Sequence, residues 1–285
     1  MELTHLGLEA TYDDEEFPGW VNGDFFDDML AIFQLQPSLK SFSLVRCPLS
    51  TSFEQLVKSQ LSPSDAPALK SLTARPFIVA AFLSRVSGLE DITFMAGGYF
   101  DCVVKLIWTG SADNRSSIRK LTFNVAHQED WVREQVPMYM SLFPNVEKLK
   151  VKIPEGVKHC LDAITFNIHA LPSIRYLEID YVPDHEIYAG GMTVPPERDF
   201  LGYWDDQKIF KGLEFIRDIK ATCPQLEIFV DPDRRVWDVS ERDNRDRGFS
   251  AKLLGKVELE PGFVRDVTPI NRKVEAALRQ HLGLI

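Results

Sequence analysis

Three titratable residues stand side by side at Asp184, His185 and Glu186, and together they could transfer protons in an enzyme active site. A catalytic role requires the three side chains to converge in one pocket. His159 beside Cys160 offers a base and a thiol, but adjacent residues on a helix point in different directions. Neither group has the spacing of a zinc site or of a nucleophile with its base. The sequence therefore predicts a protein that is not an enzyme and has no metal or other cofactor, with a site around Asp184, His185 and Glu186 as the alternative.

Acidic residues are concentrated near the N-terminus, in YDDEEF at 12–17 and FFDD at 25–28. Such carboxylates could bind a basic partner or Ca²⁺, but the EF-hand spacing with its central glycine and terminal glutamate is absent. Charge runs of this kind usually stay in water. The sequence therefore predicts a solvated loop after the first strand.

The charge of the whole chain bears on its partners. It carries 42 acidic and 32 basic residues, a net charge of −10. Nine of the acidic residues and none of the basic ones lie in residues 1–39, so the rest of the chain is almost neutral. Binding to nucleic acid depends largely on an excess of lysine and arginine. The composition therefore predicts no nucleic-acid partner.

Three features predict the cellular compartment. The longest apolar run, PFIVAAFL at 76–83, is much shorter than the roughly 20 residues that cross a bilayer. The N-terminus lacks the basic and apolar regions of a secretory signal. The four cysteines form no CxxC pair, which predicts buried free thiols at Cys47, Cys102, Cys160 and Cys223. We therefore expect a protein of the cytoplasm or nucleus that makes no membrane contact.

A short pattern recurs along the chain: an apolar residue, two mostly polar ones, an apolar residue, any residue, and a third apolar residue. GLEDITFM (88–95), SSIRKLTFNV (116–125), FPNVEKLKVKI (143–153) and LPSIRYLEIDY (171–181) are examples. Its first positions are Leu3, Leu39, Leu69, Leu89, Ile118, Val146 and Ile174, with a degenerate copy near Leu226. Most intervals are 20–30 residues long, a period typical of stacked strand and helix units. The final interval of 52 residues indicates an insertion.

Segments with apolar residues at three- and four-residue steps lie between the predicted strands. They are 77–86, 99–107, 132–143, 157–171 and 208–222. Strands that alternate with helices predict parallel strands joined by right-handed crossovers, and the short period predicts a curved α/β solenoid.

The sequence resembles leucine-rich repeat proteins. LKSFSLVRC at 39–47 matches the pattern L-x-x-L-x-L-x-x-C with Phe42 in the second apolar place, and CPQLEIF at 223–229 is similar to the phrase that often introduces such a repeat. The resemblance is closest to the irregular repeats of fungal F-box proteins. It implies a concave parallel sheet, convex helices and recruitment of a protein for ubiquitination. In that family an upstream F-box binds the SCF adaptor, but no F-box is seen in this sequence.

Two parts of the chain are predicted. Residues 1–230 form the irregular leucine-rich-repeat solenoid, interrupted by an insertion at 182–207. Residues 231–285 form a C-terminal loop that ends in an amphipathic capping helix at 271–284. The mixed-charge stretch from 231 to 248 is interpreted as loop.

Six residues are predicted to bind a protein partner. The period of two in VEKLKVK directs three lysines to the concave face, and aromatic residues are typical of binding hot spots. The residues are Lys148, Lys150, Lys152 and Tyr176 on the concave face, and Tyr203 and Trp204 in the insertion. Register predicts Lys150 near Glu178 and Lys152 near Asp180. The alternatives are a solvated face with ion pairs, an insertion that buries its own aromatic residues, and a scaffold unconnected with ubiquitin.

Overall fold

A computed structural model of the chain describes residues 3–9, 22–45, 51–95, 112–124, 136–154, 164, 167–182, 215–231, 235–239, 252–260 and 263–268. Within them, eleven strands form one sheet whose spatial order follows the chain. Each pair of neighbouring strands from β1 to β8 is parallel. Each pair from β8 to β11 is antiparallel. The strands are β1 (His5–Glu9), β2 (Ser41–Val45), β3 (Ser71–Ala74), β4 (Asp91–Met95), β5 (Lys120–Asn124), β6 (Lys148–Pro154), β7 (Tyr176–Val182), β8 (Ile228–Val230), β9 (Arg235–Asp238), β10 (Lys252–Glu260) and β11 (Phe263–Thr268).

Helices lie in the connections between the parallel strands. They are α1 (Asn22–Leu35), α2 (Thr51–Gln60), α3 (Pro76–Leu83), α4 (Ala112–Ser116) and α5 (Val136–Leu142). A 3₁₀ turn at Ile168–Ala170 precedes β7, and residues 215–222 are helical before β8. The chain is therefore an α/β protein with an open, mostly parallel sheet, which confirms the predicted alternation of strands and helices.

A tight turn leads the chain into several of the parallel strands. The N–H groups of Val146, Ile174 and Leu226 donate to the carbonyl oxygen three residues earlier, at 3.3, 3.2 and 3.0 Å. Proline follows the acceptor residue in all three turns, FPNV, LPSI and CPQL, where its fixed φ favours this geometry. The apolar residue that closes each turn is fully buried. This residue is the first position of the recurring sequence pattern.

At the start of each parallel strand, one main-chain carbonyl group of the preceding strand unit fixes the register between the two strands. The carbonyl oxygen of Arg119 accepts the N–H of Glu147 at 2.8 Å and that of Lys148 at 3.0 Å. The same double acceptance recurs at the carbonyl groups of Thr4, Lys40, Lys70, Glu90, Glu147 and Arg175. Because the arrangement repeats, equivalent residues of successive strands lie opposite one another.

The core of the sheet is built from rows of apolar side chains. Leu121, Leu149 and Leu177 lie in register on β5, β6 and β7, and all three are 0% exposed. The predicted stacking of these three leucines is confirmed. The buried residues that extend the row are Phe42, Leu72, Ile92 and Phe229. Each layer buries its neighbour's apolar surface, which a single strand and helix could not do alone.

The structure corrects the prediction for the FFDD segment. These residues lie in helix α1 and not in a loop. Phe25 and Phe26 are buried, whereas Asp27 and Asp28 are exposed. The helix therefore buries one face and keeps its carboxylates in water, as amphipathic helices do. The YDDEEF segment lies outside the described residues.

A second correction concerns the mixed-charge stretch that begins at residue 231, where Arg235–Asp238 forms strand β9 instead of loop. Val236 and Trp237 are buried in it, and the Trp237 indole N–H donates to the Asp231 carboxylate at 3.0 Å. Two adjacent buried residues between charged ones give no alternating pattern, so the strand was missed. Strands β10 and β11 follow, and the capping helix predicted at 271–284 lies outside the described residues.

The predicted insertion does not interrupt the sheet. Strands β7 and β8 pair directly, although the residues that precede them, Arg175 and Glu227, are 52 positions apart. Val182 is the last residue of β7, and residues 183–207 lie outside the described residues.

Cys223 is a free, buried cysteine, as predicted. It is 1% exposed, and its thiol donates to the Ile168 carbonyl oxygen of the preceding layer at 3.6 Å. Burial raises the pKa of this thiol from 9.0 to about 11. The predictions for Cys47, Cys102 and Cys160 fall outside the described residues.

The Cys223 thiol is expected to resist alkylation in the folded protein. At about pH 8 a thiol must ionise to react, and burial opposes this. Mass spectrometry should find the peptide that carries Cys223 unmodified by iodoacetamide in buffer and fully modified in urea. The thiol's contribution to the free energy of unfolding should be constant below pH 9 and fall as the pH rises from 9.0 to about 11. Equal labelling in buffer and urea would contradict this.

Candidate functional site

Alternate side chains of strands β2 to β7 face away from the buried core and form one surface, here called the open face. In β2 and β4 the first, third and fifth residues are partly exposed, and the two between them are buried. The aromatic contacts of the sheet lie on the buried side, where Phe33 of α1 packs edge-on against Phe42 of β2. The open face is therefore the surface on which a ligand can meet several strands at once.

Hydroxyl groups occupy much of the open face from β2 to β5, where Asp91 and Lys120 form an ion pair. Ser43, Thr73, Thr93 and Thr122 lie in register on β2 to β5. Adjacent strands are about 4.8 Å apart, so these hydroxyl groups form a regular row. Ser41 and Ser71 lie beside it, and the six residues together are named the hydroxyl strip. Among the described residues, these six hydroxyl groups make no side-chain hydrogen bond.

The opposite side of the open face carries the charged residues of β5, β6 and β7. Lys148 is exposed and Lys150 and Lys152 are partly exposed on this face, as the period of two predicts. Lys150 donates a hydrogen bond to Glu178, which lies opposite it, and its amino group is 4.0 Å from Asp180. The predicted proximity of Lys150 to Glu178 is confirmed. Lys152 is in register with Asp180, but Lys150 makes the ion pair with that carboxylate.

Tyr176 belongs to the same network. Its hydroxyl group donates to the second oxygen of Glu178 at 2.9 Å. Burial raises the pKa of this hydroxyl, and the negative charge and hydrogen bond of Glu178 raise it further. The phenol therefore stays protonated and holds Glu178 in place together with Lys150.

Lys148 and Lys152 differ from the other lysines of this face. Lys120 donates to Asp91 at 2.8 Å, and Lys150 is paired as described above. Within the part of the chain that the structure describes, Lys148 and Lys152 make no hydrogen bond or ion pair. The two are therefore available to an external ligand.

The structure also shows a row of charges that the sequence reasoning missed, at the edge where the strands begin. Alternating signs occupy the residues directly before β3 to β8, here named the rim ladder: Lys70, Glu90, Arg119, Glu147, Arg175 and Glu227. Three ion pairs join neighbours in this ladder. The distance from the side-chain nitrogen to the carboxylate oxygen is 2.7 Å for Lys70–Glu90, 3.6 Å for Arg119–Glu147 and 2.5 Å for Arg175–Glu227. The hydrogen bond and charge of Glu227 raise the pKa of Arg175. The rim ladder could have been found from the charge of the residue that follows the first apolar position of each repeat.

Several predicted residues cannot be compared with the structure. Tyr203, Trp204 and the groups at 184–186 and 159–160 lie outside the described residues. Within the described ranges, no cluster of three or more histidine, cysteine, aspartate or glutamate side chains has the arrangement of a metal site. The helices in those ranges are all too short or too polar to cross a membrane.

No family model and no curated protein matches the chain.

Proposed function

We propose that the chain is a protein-recognition module whose partner lies across the open face. The observation that carries this proposal is the register of the sheet, which places alternate side chains of six parallel strands in rows on one face, most of them at least partly exposed. A partner of standard size would bury about 800 Å² on each side. The hydroxyl strip supplies neutral hydrogen-bonding groups, and β6 supplies positive charge.

The finer architecture belongs to the same proposal. We infer that the strand and helix units form a leucine-rich-repeat-like solenoid with the open face concave and the helices convex. The recurring turns and doubly accepting carbonyl groups support this, because they repeat one geometry from unit to unit.

The resemblance to F-box proteins suggests a more specific role as the substrate-binding part of an SCF ubiquitin ligase receptor in the cytoplasm or nucleus. Affinity purification of the tagged protein tests this role separately. The SCF adaptor should co-elute with a tagged product in which an F-box precedes these residues, the arrangement that the resemblance implies. If that product retains other partners without the adaptor, the chain is a recognition scaffold without ligase function.

A bulky residue in the hydroxyl strip should prevent partner binding. Thr93 lies in the middle of the strip, so Thr93→Trp should remove the partner while leaving the fold intact. Gln55→Trp on the exposed side of α2 is the matched control. Quantitative mass spectrometry of the purified complexes should find partners lost at least about fivefold in the first variant only. Equal recovery from both variants would overturn the proposal that the open face is the binding site.

A further inference from the structure

Lys148 and Lys152 are separated by a distance that suits two anionic groups of one extended ligand. They stand four residues apart on β6 and point to the same face. At about 3.3 Å per residue, their backbones are about 13 Å apart. Between them, Lys150 pairs with Glu178 and is 4.0 Å from Asp180. The strand thus presents two separate cationic positions and not one continuous positive patch.

Lys148 has no partner in the described residues of either neighbouring strand. It lies in register with Lys120 on one side and with Tyr176 on the other. The Lys120 amino group donates to Asp91 at 2.8 Å, and the Tyr176 hydroxyl group donates to Glu178 at 2.9 Å. The amino group of Lys148 therefore has no hydrogen bond or ion pair among the described residues.

The surroundings favour a peptide over a nucleic acid. The hydroxyl strip adjoins the lysines, because Thr122 is in register with Lys150, and hydroxyl groups can pair with main-chain N–H and C=O groups. A phosphate backbone carries one charge per nucleotide, and its binding depends on several lysine or arginine contacts. Among the described residues of β5, β6 and β7, only two lysines, Lys148 and Lys152, lack a partner.

We propose that Lys148 and Lys152 anchor two carboxylates of an acidic, extended segment of the protein partner, four residues apart in that segment. Side chains four residues apart on a strand share a face and are about 13 Å apart, which matches the two lysines. This inference rests on the proposed function and specifies the chemistry of the partner.

Fluorescence anisotropy with the full chain tests the inference. The probe is a labelled peptide with two glutamates separated by three Gly or Ser residues, and its matched control has glutamine at both positions. The glutamate probe should bind at least about tenfold more tightly, and added salt should weaken it. Lys148→Ala and Lys152→Ala should each weaken binding about three- to fivefold, in line with exposed ion pairs. Lys40 is exposed and unpaired among the described residues, and Lys40→Ala should change binding less than twofold.

Three results would overturn the inference. The first is equal binding of the glutamate and glutamine probes, or no binding of either. The second is an equal loss from Lys40→Ala and Lys148→Ala, which indicates a general charge effect. The third is tighter binding of a single-stranded oligonucleotide with the same dependence on Lys148 and Lys152. If partners are still lost from Thr93→Trp in any of these cases, only the acidic-segment inference fails and the proposed function stands.

Discussion

Replacing Phe94 by alanine is expected to lower the free energy of unfolding by about 3–5 kcal/mol, the usual cost of deleting a buried aromatic ring. Phe94 is 0% exposed and stacks on Phe123 of the next strand, with ring centroids 5.4 Å apart and planes 11° from parallel. It also packs against Tyr139 and Phe143, at 4.8 and 6.3 Å. The ring therefore joins two strands to the segment that covers them, and its loss leaves a cavity that these neighbours cannot fill.

Urea unfolding followed by circular dichroism measures the effect. Leu35→Ala is the control, because Leu35 is 75% exposed at the end of α1 and its truncation should change the free energy by less than about 0.5 kcal/mol. The loss in free energy of unfolding for Phe94→Leu should lie between the losses for Phe94→Ala and Leu35→Ala. A cost below about 1 kcal/mol for Phe94→Ala would show that this aromatic cluster is not part of a packed core.

Replacing Asp231 by alanine is expected to cost about 2–3 kcal/mol, because a buried donor then loses a charged acceptor. Asp231 is 2% exposed and accepts the Trp237 indole N–H at 3.0 Å and the main-chain N–H of Arg235 at 2.9 Å. These bonds join the residue after β8 to β9, the two strands between which the sheet changes from parallel to antiparallel pairing.

Three further variants isolate this contact. Asp231→Asn retains an acceptor and should cost less than the alanine variant. Trp237→Phe removes the indole N–H but keeps an aromatic ring, so the combined variant Asp231→Ala with Trp237→Phe should cost clearly less than the sum of the single changes. Urea unfolding provides all four values. Additive costs would show that the carboxylate and the indole do not stabilise each other.

The face of the sheet on which each side chain lies could be predicted from the sequence, because apolar and polar residues alternate along each strand. In VEKLKVK the period of two assigned Leu149 and Val151 to the core and the three lysines to the open face, and the structure confirms this. Register between neighbouring strands followed from the repeat, so the proximity of Lys150 and Glu178 was also predictable.

Other features depend on information that alternation does not contain. The helical position of Asp27 was missed because its charge was read as a loop signal, although Phe26 and Phe33 have helical spacing. Strand β9 has only two adjacent core residues between charged ends. The pairing of Lys150 with Asp180, which leaves Lys152 unpaired among the described residues, depends on side-chain conformation. Local sequence patterns thus predict which face of the sheet a side chain lies on, whereas its ion-pair partner can be identified only from three-dimensional coordinates.

The rim ladder bears on how the strands find their order during folding. Leucine occupies the same row position on β5, β6 and β7, so this row does not distinguish the three strands. The charges before the strands alternate in sign, so a pairing that skipped one strand would oppose Glu90 to Glu147, or Arg119 to Arg175. Such contacts repel, whereas the native order from β3 to β8 places opposite charges side by side. The ladder therefore selects against misassembled sheets, a contribution to specificity that its exposed ion pairs need not make to stability.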